Sequence, residues 1–312
     1  MDSRKNNRKN NKKRKWLYWV GGIFLAFILA VVGFGFYMWN QLGNTVETMH
    51  NPLEGNDDRY KETEGRFKQK ESINALLLGV DERAGDRGRS DTMILLSLNP
   101  NTNSMEMLSI PRDTYVNIPG RGMDKINHAY AFGGPELSVQ TVEETFDIPI
   151  HVYGRINMEG FIEGIDAIGG VTVNNTFAFK QGKYSFPEGE IHLDGKQALE
   201  YTRMRKNDPR GDFGRNERQR QVIAAAIDEA ADFSSITKFG DILEVVGSNV
   251  QTDLDMKKIQ TLFSDYLGTR KNIETLQIKG SGQKMNGVYY YVVPESEFNR
   301  INTEITNHME AK

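Results

Sequence analysis

The 312-residue sequence contains no cysteine. That excludes disulfides, thiol catalysis and thiolate zinc sites. A chain of this length can bury a sufficient core without disulfides. Histidine is sparse: His50, His128, His151, His192 and His308 are scattered, and none sits in an HExxH or HxxxH pair. That scatter argues against a zinc hydrolase. No GxxxxGK[ST] loop occurs, so there is no P-loop nucleotide site. No GxSxG occurs, so there is no nucleophile elbow. The sequence also lacks internal repeats.

Charge is absent from one long stretch. Between Trp16 and Trp39 lie 24 residues without a charged side chain, WLYWVGGIFLAFILAVVGFGFYMW. As a helix they would extend about 36 Å, enough to cross a hydrocarbon core of about 30 Å. Trp16, Tyr18 and Trp19 suit one interface, and Tyr37 and Trp39 the other. The stretch is longer than the apolar part of a cleaved signal peptide and ends in bulky aromatics, so a retained anchor is expected. Eight Lys/Arg and one Asp precede it within residues 1–15, giving +7 and leaving −10 on the remainder of a chain whose net charge is −3. Basic residues directly before the span keep the N-terminus in the cytoplasm. The expected arrangement is a single-pass type II protein of the cell membrane. It has a basic cytoplasmic tail (1–15), a transmembrane signal-anchor helix (16–39), an extracellular stalk (40–70) and an extracellular catalytic domain (71–310).

Within that domain, apolar runs read as strands at 73–80, 92–98, 104–110, 150–156, 171–173, 273–278 and 287–293. The turn cluster NPNTN makes the second and third an antiparallel hairpin. Helices are expected at 124–146, broken near Gly133-Gly134-Pro135, then at 158–168, after a cap at Asp194, at 215–232, 236–248 and 255–267, and from Pro294. Strands and helices intermix, which points to one α/β domain.

Three clusters could carry chemistry. VDERAGDRGRSDT (80–92) follows a buried strand, where α/β folds place sites, and its carboxylates could hold Mg²⁺ together with substrate phosphates. IPRDT (110–114) ends the hairpin that Asp91 opens, so Arg112 should lie near the first cluster. The third, YTRMRKNDPRGDFGRNERQRQ (201–221), carries Arg203, Arg205, Arg210, Arg215, Arg218 and Arg220. Guanidinium groups bind phosphate oxygens bidentately and stay charged. Such a density within an acidic remainder suggests a polyanionic ligand. Nucleic acid would fit arginine clusters too, but not a domain outside the cell. A phosphate-rich substrate met at the outer membrane surface is what remains.

At these clusters the chain resembles the LytR-CpsA-Psr family. The strings LLLGVDERAGDRGRSDTMI, LSIPRDT, DKINHAYAFGG, IGGVTVN, DGKQALEYTRMR and GDFGRNERQRQ carry the resemblance, in order, across about 73–235. The anchor, ITKFGDILEVVGSNV and GVYYYVVPE are similar to its teichoic acid transferase branch. The resemblance implies a central mixed β-sheet flanked by helices. It also implies a phosphotransferase of cell wall biogenesis in a Gram-positive bacterium. Such an enzyme moves teichoic acid or a related anionic glycopolymer from undecaprenyl pyrophosphate to the N-acetylmuramic acid C6 hydroxyl of peptidoglycan. By position, Asp81 and Asp91 match its metal-binding carboxylates, for Mg²⁺ or alternatively Mn²⁺. Arg83, Arg89, Arg112, Arg203 and Arg205 match its pyrophosphate-contacting arginines. Arg218 and Gln219 match the adjoining helix face, Lys125 a lysine near the lipid head group, and Asp212 an acid at the site. With Arg112 at the reacting centre, Asp113 or Asp212 would take the hydroxyl proton. A slot for the membrane lipid is expected among Phe132, Val152, Phe161, Ile165 and Phe177. The alternatives are a polyprenyl pyrophosphate phosphatase and a non-catalytic, membrane-anchored wall-polymer binder or regulator.

Overall fold

The computed structural model describes residues 46–53, 57–82, 88–205, 208–232, 247 and 249–312. The basic tail, the apolar span, Arg83 and nearly all of the helix expected at 236–248 lie outside these residues. Among the described residues no helix is long and apolar enough to cross a membrane. From residue 46 onward the described residues belong to one compact unit.

Helix α1 (Asp57–Gln69) precedes β1 (Ile73–Val80), β2 (Ser90–Asn99) and β3 (Ser104–Ser109), and a small hairpin follows, β4 (Tyr115–Ile118) with β5 (Gly122–Lys125). Next come α2 (His128–Phe146), β6 (Val152–Asn157), α3 (Met158–Ala167), β7 (Val171–Asn175), β8 (Phe179–Gln181), β9 (Tyr184–Phe186) and β10 (Gly189–Leu193). The chain continues through α4 (Gly195–Arg203), α5 (Asp212–Asp232), β11 (Val250–Thr252) and α6 (Met256–Thr261). It closes with β12 (Ile273–Leu276), β13 (Ser281–Met285), β14 (Val288–Val292) and α7 (Glu295–Glu310).

The central sheet has six strands in the order β11-β6-β1-β2-β3-β12. It is mixed: β1 pairs antiparallel with β2 and parallel with β6, and β3 pairs antiparallel with β2 and parallel with β12. The near-continuous apolar run of β1 is what a strand covered on both faces requires. Leu76 and Leu78 face α2 and α7, packing with Tyr130, Val142, Phe146, Ile301 and Ile305. Ile73 and Ala75 face the other way, with Phe67 of α1, Tyr266, and Ile223 and Ile227 of α5. A smaller core joins α3, α4 and α5 to β7–β10 through Ile165, Val171, Phe179, Tyr201 and Val222. Asp194 and Gln197 form a reciprocal capping box at the start of α4, worth about 1 kcal/mol.

Three expectations need correction. Part of the stretch expected as a stalk belongs to the folded unit: Thr63 and Phe67 of α1 are buried, and Arg59 pairs with Asp253 at 2.9 Å. Its few apolar residues are too diluted by charge to give a readable period. Residues 122–125 are a strand rather than the first turn of a helix, because Gly120 and Gly122 at positive φ turn the chain back onto β4. The helix expected at 255–267 holds only to Thr261, then passes through a π-turn (Leu262–Tyr266) into a 3₁₀ segment (Leu267–Lys271). The kink of α2 at Gly133 and Gly134, the hairpin of β2 with β3, and the helix from Pro294 agree with expectation.

Glu106 on β3, next to the edge strand β12, is a destabilising feature of the sheet. It is buried, its Oε2 accepts no hydrogen bond, and its register partner across β12 is Glu274. Burial first, then Glu304 and Glu274, push its carboxyl up to about 7. A raised carboxyl binds its proton more tightly in the folded state. That contribution is full below the ordinary carboxylate range and is lost as pH rises through about 7. Glu106→Gln is expected to raise the melting temperature by a few degrees at pH 8 and to change it little at pH 4.5. Equal shifts at both pH values would contradict this account.

Candidate active site at the mouth of an apolar cavity

The antiparallel pairing of β1 with β2 brings Val80 opposite Ser90, so the intervening loop leaves and re-enters the sheet at one end. Gly88 closes its neck at φ +68°, and a Cβ there would lie 2.1 Å from the Asp81 carbonyl oxygen. Only glycine fits both conditions. Asp81, just beyond β1, and Asp91, within β2, line one cavity mouth. The β2–β3 hairpin then returns Arg112 to the same place, and its Nη1 donates to Asp91 Oδ1 at 2.7 Å. Arg112 Nε also lies 3.7 Å from Asp113 Oδ2, while Lys125 Nζ donates to Asp113 Oδ1 at 2.6 Å. Burial works to lower the Arg112 pKa, but Asp91, Asp113 and Asp212 outweigh it and hold the group above its ordinary value.

The other side of the mouth comes from the connection between α4 and α5. Arg203 ends α4, contacts Met158 Sδ and lies 3.5 Å from Glu200. Arg205 Nε stands 2.8 Å from Asp212 Oδ1, and Arg215 Nη2 stands 3.5 Å from the same oxygen. Burial, with help from Arg112 and Arg205, pulls the Arg215 pKa down. A buried guanidinium beside two others is a position that an anion would stabilise. Gln219, one turn on, donates to Thr92 Oγ1 at 2.8 Å and so ties α5 to β2.

Arg218 differs from expectation. Its side chain is buried and its donors are spent on the Asp208 carboxylate and the carbonyls of Tyr201 and Met204. It anchors the start of α5 rather than facing the mouth. Gly214 permits this packing, since a Cβ there would fall 1.8 Å from Asp208 Oδ2. Arg220 also turns inward, to Ser109, and Arg210 pairs outward with Glu217. All six arginines of the cluster therefore have an anionic or polar partner within the protein, but Arg210, Arg218 and Arg220 make theirs away from the mouth. Arg89 is exposed on the loop.

Behind the mouth lies a cavity of about 750 Å³, within the usual range for ligand sites of about 300–1,000 Å³. Leu77, Leu96 and Ile156 of the sheet line one side, and Phe161, Val222 and Ile223 of the helices line the other. Gly154, Gly164, Ala226 and Ala230 stand along it, where larger side chains would fill the gap between sheet and helices. Of the residues expected to form a lipid slot, Phe161 and Ile165 line this cavity. Val152 and Phe177 pack in the cores, and Phe132 is exposed.

A family model described as the LytR_cpsA_psr family matches residues 36–307. The chain belongs to the LytR-CpsA-Psr family. It is 62% identical to the polyisoprenyl-teichoic acid–peptidoglycan teichoic acid transferase TagU of Oceanobacillus iheyensis, across 99% of both chains. The crystal structure of Bacillus subtilis TagU is 47% identical, covers 78% of this chain and 98% of its own, and superimposes with a TM-score of 0.65. The structure of TagT bound to LI-WTA is 34% identical, covers 77% of this chain and 91% of its own, with a TM-score of 0.67.

Two residues of this LytR-CpsA-Psr site were not singled out from sequence. Arg215 was read only as part of a cluster, although its place three residues after Asp212 in a helix would have paired them. Arg155 lies in β6, lines the cavity and pairs with Glu82, which also accepts from Tyr130 OH at 2.7 Å. An arginine inside an apolar strand was the available signal. As for a metal, the hard oxygens of Asp81 and Asp91 suit Mg²⁺, which takes one or two carboxylates and shares the rest of its shell with phosphates and water. The Asp91 carboxylate is 42% exposed despite its bond to Arg112, leaving oxygen lone pairs accessible.

Inorganic pyrophosphate is expected to raise the melting temperature of the chain by several degrees at saturation, and Arg215→Gln to abolish most of that rise. An undiminished shift in the variant, measured by calorimetry, would remove Arg215 from the anion site.

Proposed function

We propose that this chain is a polyisoprenyl-teichoic acid–peptidoglycan teichoic acid transferase, anchored in the cell membrane by residues 16–39 with its folded unit on the outer face. The observation that carries the reading is the meeting of a long apolar cavity with a mouth of arginines and aspartates. An isoprenoid diphosphate has the complementary form, an apolar tail with an anionic head. Likeness to TagU along nearly the whole chain, and to TagT bound to LI-WTA, supports it.

In this reading undecaprenyl carbons occupy the cavity. The diphosphate lies against Arg112, Arg203 and Arg205, with Arg215 beneath and Arg89 and Lys125 at the rim. The C6 hydroxyl of N-acetylmuramic acid attacks the phosphorus next to the polymer's first sugar. A new P–O bond forms, the bridging P–O bond breaks, and undecaprenyl phosphate leaves with the bonding pair. Phosphoryl transfer depends on positioning and charge neutralisation, which arginines supply without proton exchange. The hydroxyl proton needs an acceptor. Asp212 Oδ1 is buried, and although Arg205 is near, it accepts no hydrogen bond. Asp113 Oδ1 is already engaged by Lys125. Asp212 is therefore the better base. Mg²⁺, held by Asp81 and Asp91, would add positive charge beside the diphosphate oxygens.

The test is polymer transfer by the full chain from a lipid-linked donor to peptidoglycan in reconstituted membranes. Arg112→Ala is expected to lower the rate by about 10²–10³-fold. Ala226→Trp, which fills the cavity away from the charged mouth, is expected to lower it at least about tenfold, or ~1.4 kcal/mol. Near-normal transfer by both variants would defeat the proposal. Release of undecaprenyl phosphate at one rate with or without peptidoglycan would instead identify a pyrophosphatase.

A further inference from the structure

Five large hydrophobic side chains are exposed among the described residues: Met123, Phe132, Phe213, Val288 and Tyr289. Phe213 and Tyr289 come from two segments that meet beside the site's carboxylates. Phe213 directly follows Asp212, and its ring packs edge-on against Tyr291 at 6.2 Å. Tyr291 N donates to the Asp113 carbonyl at 2.8 Å, and Tyr291 bridges to Thr114, so β14 is fastened alongside Asp113. Tyr289 shares the Tyr291 side of that strand. Partial burial, followed by Asp212 and Asp113, raises its phenol pKa. Tyr290 points to the opposite side, onto Tyr115 at 4.9 Å.

The first turns of α5 divide this face from the apolar cavity. Arg215 and Gln219, four apart, line the cavity already described. Phe213 and Glu217, also four apart and on the other side of the helix, line a second cavity of about 520 Å³ with Arg210, Gln277, Lys279 and Tyr291. The first cavity is predominantly apolar. The second mixes aromatic rings with charged and amide side chains, and Phe213, the residue after Asp212, lines it. An exposed apolar surface rimmed by polar side chains is what a ligand-binding groove presents. A pyranose ring offers C–H groups on one face and hydroxyls around its rim. Aromatic faces take the former, and planar polar side chains take the latter.

We infer that the face formed by Phe213, Tyr289 and the adjoining cavity is the acceptor subsite, holding a glycan strand of N-acetylated amino sugars with one primary hydroxyl directed at Asp212. This deepens the transferase reading and rests on it: donor and acceptor approach from opposite sides of α5 and meet where Asp212, Arg112 and Arg215 converge.

The experiment measures binding of an undecorated peptidoglycan tetrasaccharide, without donor, to the full chain in lipid nanodiscs. Phe213→Ala and Tyr289→Ala are each expected to weaken binding at least tenfold, and Tyr289→Phe to stay within twofold. Both side chains are exposed, and an unchanged melting temperature verifies folding. Wild-type affinity in both alanine variants, or no binding by the wild type, overturns the inference. Protection of the β13–β14 hairpin from hydrogen exchange by the bilayer alone, with glycan affinity unchanged in the variants, marks a membrane contact and also overturns it. Transfer is scored separately. Glycan binding at this face without polymer transfer would sink the transferase reading but uphold the surface, whereas transfer without such binding would sink the surface alone.

Discussion

The site depends on like charges being held together. Arg112, Arg205 and Arg215 are close enough to repel, and Asp91, Asp113 and Asp212 keep them in place. The Arg112–Asp91 and Arg205–Asp212 pairs are partly exposed, so each contributes only about 0–1 kcal/mol. An incoming diphosphate can compete with carboxylates held so weakly. The pair beneath them is different: Arg218 and Asp208 have side chains only 4% and 0% exposed. Removing one partner of a buried pair costs about 3–5 kcal/mol. Rigidity therefore comes from Arg218 and Asp208, and responsiveness from the arginines above them.

The fold places this charge cluster against an apolar space because the sheet is covered on both faces but unequally. On the α2 and α7 side, Leu76, Leu78, Leu95 and Leu108 are fully packed. On the α5 side, Gly154 and Ala226 leave a gap between sheet and helices. The end of β1, the start of β2, the turn after β3 and the start of α5 all open onto one end of that gap. One element, α5, serves three purposes through helical periodicity. Arg215 and Gln219 face the gap, Arg218 faces the core, and Phe213 and Glu217 face the second cavity.

Much of this was legible in the residues. The run INALLLGV predicted β1 because burial on both faces needs an unbroken apolar strand. NPNTN predicted the hairpin that carries Arg112 to Asp91. The GGP break and the Asp194 cap were local chemistry and appeared where expected. Other features depended on distant contacts. The strand at 281–285, SGQKM, has poor strand propensity and forms only by pairing across Asn286-Gly287 with β14, a turn signal that its polar composition obscured. The arginine cluster could be seen, but its division could not. Whether an arginine faces the mouth or the core follows from where Asp208 and Asp212 end up, and no linear spacing encodes that. The apolar cavity was hidden for a similar reason, since a glycine or alanine that leaves space reads the same as one that merely fits.

The central claim is that the guanidinium groups around Asp91 and Asp212 hold a diphosphate whose isoprenoid tail fills the adjoining gap. The most direct measurement is a crystal structure of the full chain with a polyprenyl diphosphate glycolipid. The account predicts phosphate oxygens within hydrogen-bond distance of Arg112 and Arg203, and lipid carbons running between Leu77 and Ala226. Lipid density elsewhere, with the gap empty and these arginines still on their aspartates, would contradict it.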